Sequence, residues 1–417
     1  MASHGRAGRS ALAWLREARW LNARRARAYG FIFLAVTVLV AIARIALSPF
    51  HVTPLGRPLF ADYVSFWSAG RLALAGQPAA AYDIARHWAI QRSVFPGFGY
   101  EAFFYPPIFL LLCTPLALPG FYPSFIGFLG LSLLGYGLAM RRLLPGAGAL
   151  FLGFPAVAMN LIYGQNGFLT ALLFAAALLA LPRRPLLAGM CFGCLCYKPH
   201  LAFAIPLALL AANQWRALLA MAVTVAVLAV ASLAAFGAAS WRAFFAHAGF
   251  AREVLTHGLV ENSGWASLFR AVIRLGGGVP LAALAQGFLS LAVLAAMMLA
   301  CRRRPAAIAG VLPLAALLAT PFLLVYDLTV LAIPMAWLVA EARRHGFLPW
   351  ERIVLAATFM TPLLTVPANH VGVPICPAVL LALFMLVLRR TGGGSCRLQP
   401  RWQKGCSADF LESSGIC

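Results

Sequence analysis

The feature that most constrains this chain is a succession of long apolar runs, several of which end in a short cluster of arginines. Of its 417 residues, 62% are hydrophobic and only 11% are charged, whereas a soluble domain carries about 25% charged residues. A water-soluble fold could not bury so much apolar surface. The runs also lack the alternating segments of about ten residues that mark a membrane β-barrel, so they predict membrane-spanning α-helices.

The formal net charge of +22 raises the question of a nucleic-acid partner, and the placement of the cations argues against one. Nucleic-acid binding requires a basic face on a folded soluble domain, and the sequence predicts no such domain. The cations are nearly all arginines at the ends of apolar runs, which is how charge fixes the orientation of a membrane protein. The expected partners therefore include membrane lipids and exclude nucleic acid.

The apolar runs predict an all-α integral membrane bundle of about twelve transmembrane helices. The basic N-terminus, 1–28, leads into a first run that we interpret as a retained signal anchor, because no small-residue cleavage site follows it. We expect 29–390 to form one transmembrane domain, and 391–417, which has no periodicity, to be a disordered tail. The predicted membrane segments are 30–47, 103–118, 121–140, 147–162, 167–181, 186–197, 200–212, 216–236, 279–300, 306–324, 327–340, 350–367 and 373–388.

Arginine clusters at the ends of these runs set the predicted orientation. All of them fall on the cytoplasmic side with the N-terminus if the run at 103–118 is a re-entrant helix rather than a full span. The polar turns between the runs then meet at the opposite membrane face, which predicts an active site there. The clusters are Arg141-Arg142, Arg183-Arg184, Arg216, Arg302-Arg303-Arg304, Arg343-Arg344 and Arg389-Arg390.

Two long external loops, 48–102 and 237–278, are expected to carry short helices that lie flat at the membrane surface. The amphipathic stretches contain aromatic side chains, and aromatic side chains of this kind lie at the level of the lipid headgroups. The predicted interfacial helices are 63–74, 80–94, 243–255 and 265–275.

Acidic residues are scarce, with eleven in the chain, and Asp62 is the strongest candidate for chemistry. It follows the first span and precedes an interfacial helix, so its carboxylate is either a general base at the membrane surface or a cap for that helix. Asp83 presents the same two alternatives. Asp327, preceded by Tyr326, opens a late span. An ionisable residue at that depth indicates function, with helix capping as its alternative.

Lys198 is one of only two lysines and lies at a break between two apolar segments. It is either a point charge for a phosphate or an anchor that snorkels to the surface. Arg270, in the second external loop, is a further candidate for a lipid phosphate, and His200 lies close to Lys198 in sequence. Gln165 and Asn166 occupy a glycine-flanked turn, where their amides can hydrogen-bond a sugar or cap a helix.

No metal and no cofactor is predicted. Cys191, Cys194 and Cys196 lie inside an apolar run and lack His or acidic partners at ligand spacing. They are interpreted as small packing residues.

Several of these residues belong to motifs that follow one another in a fixed order. The motifs are Ala61-Asp62-Tyr63, Phe66-Trp67-Ser68-Ala69-Gly70, Tyr82-Asp83, Phe104-Tyr105-Pro106-Pro107, Pro115-Leu116, Tyr163-Gly164-Gln165-Asn166 and Lys198-Pro199-His200. In that order they resemble glycosyltransferase family 87, a branch of the GT-C superfamily that includes phosphatidylinositol-mannoside mannosyltransferases. The resemblance covers about 30–390 and is most specific between 60 and 200.

The resemblance implies a GT-C-like fold and a polyprenyl-phosphate sugar as donor, with no nucleotide sugar involved. It implies transfer of a hexose, with mannose as one candidate, to a lipid or glycan acceptor at the outer face of the plasma membrane, usually with inversion and without a metal. The family's first-loop aspartate maps onto Asp62 as general base. Lys198 and Arg270 are expected to bind the donor phosphate. The residues expected to bind substrate are Tyr82, Asp83, Gln165, Asn166, His200, Tyr326 and Asp327.

The main alternative for a polytopic chain is a transporter or lipid flippase of the cell envelope. That reading predicts charged residues at the bilayer centre and inverted repeats, and the sequence shows neither. A non-catalytic scaffold for envelope assembly is a third reading. It leaves the convergence of Asp62, Gln165, Lys198 and Asp327 unexplained.

Overall fold

The computed structural model describes residues 13–47, 61–97, 99–257 and 264–392, and these are almost entirely helical. A single antiparallel bridge joins Trp265 to Leu324. The predictions for the start of the N-terminus, for 48–60 and for the tail from 393 onward lie outside the described residues.

Prolines mark where many of the helices begin. Pro107, Pro155, Pro185 and Pro199 each open a helix, at a position where the missing N–H removes no hydrogen bond.

Within the described residues, four 3₁₀ segments lie at Pro78–Tyr82, Leu195–Tyr197, Pro305–Ala307 and Val325–Leu331. The α-helices are α1 (Ala23–Ala46), α2 (Ala61–Leu74), α3 (Ile84–Val94), α4 (Pro107–Leu116), α5 (Phe121–Leu143), α6 (Gly148–Leu152), α7 (Pro155–Tyr163), α8 (Gly167–Ala180), α9 (Pro185–Cys194), α10 (Pro199–Ala202), α11 (Ala204–Ala211), α12 (Trp215–His257), α13 (Leu268–Arg274), α14 (Val279–Arg303), α15 (Ile308–Ala319), α16 (Ala332–His345), α17 (Glu351–His370) and α18 (Cys376–Gly392).

Six helices among the described residues are long and apolar enough to cross a bilayer, which confirms a polytopic helical membrane protein. Shorter apolar helices lie between them. Helix α4 has 10 residues, so it is about 15 Å long and reaches roughly half of a hydrocarbon core about 30 Å thick. That length is consistent with the predicted re-entrant helix at 103–118. The six candidate spans are Ala23–Ala46, Phe121–Leu143, Trp215–Thr256, Val279–Arg303, Val325–His345 and Glu351–His370.

The structure divides or joins several predicted segments. The segment 147–162 consists of two short helices, α6 and α7, separated before Pro155. The interfacial stretch 80–94 is likewise interrupted at Asp83, between a 3₁₀ turn and α3. In the opposite sense, α12 runs from the predicted span into the predicted external loop 237–278, with a kink at Gly237, where φ is 72°. Glycine adopts that left-handed conformation without the strain other residues meet.

Close packing of helices α9 and α12 depends on two glycines four residues apart. A β-carbon on Gly189 would collide with the backbone of Ala217, and one on Gly193 would lie 2.6 Å from the side chain of Thr224. Without side chains at these two positions the helix backbones approach directly, which is the usual basis of helix association in a membrane.

Buried ion pairs join the last helices at one end of the bundle. Arg304 contacts Glu341 at 2.9 Å, and Arg390 contacts Glu351 at 2.6 Å. Glu341 is 3% exposed and Glu351 is fully buried. Arg304 also donates to the carbonyl of Arg390 at 3.3 Å, so the two pairs adjoin. We refer to this region as the basic end.

Arginine clusters from distant parts of the chain lie at this same basic end. The N–H of Trp350 donates to the carbonyl of Arg16 at 2.7 Å. Arg343 Nη1 donates to the carbonyl of Pro145 at 3.2 Å, three residues after Arg142. Four of the predicted clusters, Arg141-Arg142, Arg302-Arg303-Arg304, Arg343-Arg344 and Arg389-Arg390, therefore lie at one end of the bundle, and the shared side of the others stays a prediction.

The packing of α9 on α12 can be tested with Gly189→Ala. The added methyl group meets the Ala217 backbone, and overpacking of this kind typically costs about 1–3 kcal/mol, so we expect a lower midpoint of thermal unfolding in detergent. Gly130→Ala is the control, because a β-carbon at Gly130 meets nothing within 4 Å and alanine favours helix. Equal loss of stability in both variants would contradict the assigned contact.

Candidate active site

Asp62 lies in the first turn of α2, and its carboxylate contacts a turn that comes 103 residues later. Gln165 Nε2 donates to Asp62 Oδ2 at 2.7 Å. The sequence left open whether Asp62 caps its own helix. Among the described residues, its side-chain hydrogen bond goes to Gln165, so the carboxylate forms a tertiary contact.

The turn that carries Gln165 connects α7 to α8 and requires glycine on both sides. Gly164 ends α7 with φ of 70°, a left-handed conformation that favours glycine. Gly167 opens α8, where a β-carbon would collide with the side chain of Asn160 and the carbonyl of Tyr326. The two glycines therefore allow the turn to pass directly against the segment that carries Tyr326.

The Asn160 side chain fastens this turn to the later segment. Its Nδ2 donates to the carbonyl of Tyr326 at 3.0 Å and to Thr329 Oγ1 at 2.9 Å. Its Oδ1 accepts from the N–H of Gly167 at 3.1 Å. One fully buried amide thus fixes the position of two chain segments that both carry candidate site residues.

Lys198 and Asp327 form a buried ion pair. Lys198 Nζ lies 2.6 Å from Asp327 Oδ1, and each side chain is 2% exposed. The second oxygen of Asp327 accepts from the N–H of Leu324 at 3.3 Å. Lys198 is therefore paired inside the protein and does not snorkel to a surface. A charge held in an apolar interior requires such a partner.

Tyr326 lies beside this pair. Lys198 Nζ is 5.5 Å from the centre of the Tyr326 ring, within the range of a cation–π contact. The ring of Tyr163 lies 6.1 Å from it on another side. Tyr326 is half-buried, so it forms part of the wall next to the ion pair.

Asp62 titrates close to neutral pH in this setting. Removal of the carboxylate from water raises the pKa of Asp62 to about 6, although the hydrogen bond from Gln165 and the charge of Lys198 each lower it in part. The charge of Lys198 therefore lies within electrostatic range of Asp62. A carboxylate with such a pKa accepts protons more readily than an ordinary surface aspartate.

The side chain of Asn166 is the unsatisfied polar group of the site. It is fully buried, and neither of its polar atoms has a hydrogen-bond partner among the described residues. The nearby Tyr105 hydroxyl donates to Gln165 at 3.2 Å and also interacts with the side chain of Asn166, outside hydrogen-bond distance. A buried amide left in this state costs about 1–3 kcal/mol, so it is suited to a polar ligand.

Two other expected substrate-binding residues have local structural contacts. Asp83 is exposed, and its carboxylate caps α3 by accepting from the N–H of Arg86 at 3.0 Å. Tyr82 is buried, and its hydroxyl donates to the carbonyl of Tyr105 at 2.9 Å. Tyr82 therefore reaches the site through the segment that precedes α4.

His200 lies within electrostatic range of Lys198 and Asp327, whereas the described hydrogen bond of Arg270 goes elsewhere. The ring of His200 is half-buried and lies 6.5 Å from that of Phe322. Arg270 Nη1 donates to the carbonyl of Leu255 at 2.8 Å. Burial lowers the pKa of Arg270, with a smaller effect from the charge of Arg274.

Sequence reasoning missed Asn160, and it quoted Tyr105 only as part of a motif. The signal for Asn160 was available, since a lone amide inside an apolar run must find a hydrogen-bond partner. The hydroxyl of Tyr105 reaches Gln165 across 60 residues of sequence, and no local pattern predicts that contact.

Metal ligation has no obvious candidates in the described part of the chain. Among the residues that the structure describes, no group of three or more His, Cys, Asp or Glu side chains is placed to hold a metal ion. Cys191, Cys194 and Cys196 are free thiols with intermediate burial.

Comparison with known proteins adds one positive finding. The family model of glycosyltransferase family 87 matches residues 103–326, which is more than half of the chain. The match includes the Gln165 turn and Lys198, whereas Asp62 precedes it and Asp327 follows it by one residue. Neither a curated protein nor a solved structure matches the chain.

The buried ion pair can be tested by its effect on stability. Lys198→Met or Asp327→Leu leaves one charge buried and unpaired, which typically costs about 3–5 kcal/mol, whereas loss of both charges is often close to neutral. We therefore expect each single variant to unfold at a markedly lower temperature in detergent, and the double variant to regain most of the loss. A double variant as unstable as the sum of the two would show that the side chains are not partners.

Proposed function

The chain belongs to glycosyltransferase family 87 and is a membrane glycosyltransferase, and from that premise we propose its reaction. It transfers a hexose, with mannose as the first candidate, from a polyprenyl-phosphate sugar to a lipid or glycan acceptor at the outer face of the plasma membrane. The observation that carries this proposal is the convergence of Asp62 and Lys198, through Gln165 and Asp327, in one polar site of an otherwise apolar bundle.

Asp62 is the proposed general base. An acceptor hydroxyl is a weak nucleophile, and a carboxylate that takes its proton while the new bond forms makes it effective. Burial of the carboxylate raises its pKa, but Asp62 as a residue is only half-buried and Gln165 occupies only Oδ2, so Oδ1 is left for a substrate hydroxyl. The acceptor oxygen then bonds to the anomeric carbon, the bond from that carbon to the phosphate oxygen breaks, and the lipid phosphate leaves with the bonding electrons.

Lys198 is the proposed cation for the departing phosphate. Its ammonium has three N–H donors, and Asp327 accepts one of them. Asp327 holds the ammonium in position before the donor binds, and the negative charge that develops on the phosphate during transfer is stabilised by the remaining donors. Arg270 is a second candidate for the phosphate and would need to leave the Leu255 carbonyl to reach it.

The sugar is expected to satisfy the buried amide of Asn166. A hexose carries hydroxyl groups that both donate and accept, which matches the two unpartnered atoms of this side chain. Tyr326 lines the same site beside Lys198. Tyr82, Asp83 and His200 stay candidates for contacts made only when substrate is bound.

The orientation of the site follows from the positive-inside rule. At the basic end, Arg304 donates to the carbonyl of Arg390, Arg390 pairs with Glu351, and Arg343 donates to the carbonyl of Pro145. Arginine-rich ends of membrane proteins face the cytoplasm. The turns that carry Gln165 and Lys198 are each separated by one membrane segment from an arginine cluster, so the proposed site faces the exterior. The five shorter apolar helices, counted with the six long ones, give eleven apolar segments among the described residues, which supports a bundle of about twelve.

The rival reading, a transporter or lipid flippase, gains support only from the buried Lys198–Asp327 pair, since ion pairs of this kind occur in transport pathways. Family membership favours the transferase. The two readings differ in a direct test, because only a transferase forms a new glycosidic bond.

The proposal predicts the behaviour of Asp62→Asn and Asp62→Ala. In membranes supplied with radiolabelled polyprenyl-phosphate mannose and crude lipid acceptors, wild type should label a product. Both variants should lose about 10²- to 10⁴-fold in rate, as is typical when a general base is removed. Asp83→Asn is the matched comparison: Asp83 is an exposed helix cap and a candidate substrate contact, so at equal abundance and folding its substitution should change KM and leave kcat within a few-fold of wild type.

Each other outcome of this experiment has a defined meaning. If both Asp62 variants keep most of their activity, Asp62 is not the base, and the proposal for it is wrong. If Asp83→Asn instead shows the large loss, the base lies at Asp83. If wild type labels nothing with mannose or with a panel of other lipid-linked sugars, the proposed donor class is wrong.

The proposal also predicts the pH dependence of the reaction. A general base acts when it is ionised, and the pKa of Asp62 is raised to about 6. The value of kcat/KM should therefore be level above about pH 7 and fall about tenfold per pH unit below pH 6, as Asp62 takes up a proton. A profile that stays level down to pH 4.5, near the pKa of an ordinary carboxyl, would contradict the raised pKa.

A further inference from the structure

We infer that Tyr105 and Gln165 form a relay that holds Asp62 in its working position, with Tyr105 fixing the amide of Gln165 and Gln165 fixing the carboxylate. The inference rests on the proposed function for the role of Asp62 as base. Both residues are positioning residues in it, since they act on the reaction through Asp62.

The relay determines which way the Gln165 amide faces. Its Oε1 accepts from the Tyr105 hydroxyl and from the N–H of Asn166, each at 3.2 Å. With two donors on its oxygen, the amide must direct its NH₂ group toward Asp62, where the distance to Oδ2 is 2.7 Å. A flipped amide would set two N–H donors against each other at Asn166 and two oxygens against each other at Asp62.

This orientation matters because it favours the ionised form of Asp62. An N–H donor stabilises a carboxylate, whereas an amide oxygen would stabilise only the protonated acid. The donor also occupies one carboxylate oxygen, Oδ2, so the relay selects Oδ1 as the atom that receives the acceptor proton. Loss of the relay should raise the pKa of Asp62, so that less of it is ionised near neutral pH, and should leave its rotamer undefined.

Tyr105 is held firmly enough to serve as the fixed end of the relay. Its ring stacks on Phe109 at 4.5 Å and meets Phe66 edge-on at 5.2 Å. Phe66 is one helical turn beyond Asp62 on α2, so the same packing sets both ends of the relay. The carbonyl of Tyr105 also accepts from the buried hydroxyl of Tyr82 at 2.9 Å.

The neighbouring backbone adds a second attachment to α2. Ser65 Oγ donates to the carbonyl of Ala102 at 3.0 Å, three residues before Tyr105. Glu101, which precedes Ala102, is bound by the side chain of Gln91 in α3. Gln91 donates to the carbonyl of Glu101 at 2.6 Å and accepts from its N–H at 3.0 Å. The segment that carries Tyr105 is therefore fixed to α2 and α3 before it reaches the site.

Other titratable groups also act on Asp62, and a test must distinguish them from the relay. Lys198 lowers the pKa of Asp62 by its charge. The hydroxyls of Tyr105 and Tyr326 lie within electrostatic range of the Asp62 carboxylate. Both hydroxyls also lie within range of Asp327, the partner of Lys198. Substitutions that leave all of these charges unchanged isolate the hydrogen-bond relay.

Tyr105→Phe tests the relay by removing only the hydroxyl while the stacked ring remains. The direct readout is the pH midpoint of the infrared carboxyl band that is present in wild type and absent in Asp62→Asn. We expect this midpoint near pH 6 in wild type and about one pH unit higher in Tyr105→Phe, because the donor to the carboxylate is no longer fixed. Gln165→Leu should raise it at least as far.

Tyr197→Phe is the matched control. Its ring belongs to the same stack, 4.9 Å from Phe109, but its hydroxyl pairs with Thr170 Oγ1 at 2.7 Å and not with the relay. The midpoint should stay at the wild-type value. In a Gln165→Leu background, Tyr105→Phe should have no further effect, because residues that act through one another are not additive.

A midpoint that is unchanged in Tyr105→Phe, or raised equally in Tyr197→Phe, would overturn the relay.

The kinetic readout is separate. If the relay positions a base, kcat should fall about tenfold or more in Tyr105→Phe with KM little changed, and the acid limb should move to higher pH. If Asp62→Asn retains full transferase activity while the infrared midpoints shift as expected, the relay stands and the assignment of Asp62 as base fails.

Discussion

The ion pair between Lys198 and Asp327 joins two parts of the chain that lie 129 residues apart, and the arrangement of the site depends on it. Each charge is costly in an apolar bundle on its own and tolerable with the other. The pair fixes the break before α10 against the 3₁₀ segment Val325–Leu331. Asn160 then secures the Gln165 turn to that same segment, and Gln165 reaches Asp62. Four sections of sequence are thereby brought to one place.

Aromatic packing supplies the rigidity that these polar contacts need. Tyr105, Phe109 and Tyr197 form a continuous stack with spacings of 4.5 and 4.9 Å, and Phe66 closes it from α2. Such contacts contribute about 0.5–1.5 kcal/mol each beyond simple burial. Because Tyr105 belongs to both the stack and the hydrogen-bond network, the apolar packing sets the geometry of the polar site.

The distribution of charge relates the fold to a membrane reaction. Buried Glu341 and Glu351 bind arginines at the basic end, which ties the last helices together there. Among the described residues, the remaining buried acid, Asp327, and the half-buried Asp62 belong to the other polar region. The proposed donor has a lipid tail and a sugar head; such a substrate requires an apolar surround and a polar reaction site in one protein, and this separation would provide both.

The sequence by itself determined the helical membrane class, the approximate place of most segments and four of the basic clusters that lie at one end. These follow from local properties, namely the length of an apolar run and the charge at its ends. It also gave the motif order that resembles glycosyltransferase family 87, and Asp62, Gln165, Lys198 and Asp327 as residues of interest. It did not separate the helix cap at Asp83 from the tertiary contact at Asp62, since both acids precede or open a helix in a similar way.

Only the tertiary structure decided which of these side chains are partners. Lys198 with Asp327, Gln165 with Asp62 and Tyr105 with Gln165 are contacts between residues 60 to 129 positions apart. Their geometry depends on how closely the helices approach, and that depends on features such as the missing β-carbon of Gly167 and the left-handed turn at Gly164. The hydropathy pattern predicts whether each residue lies in an apolar or a polar environment. The direction of a hydrogen bond depends instead on the positions of both partners in space.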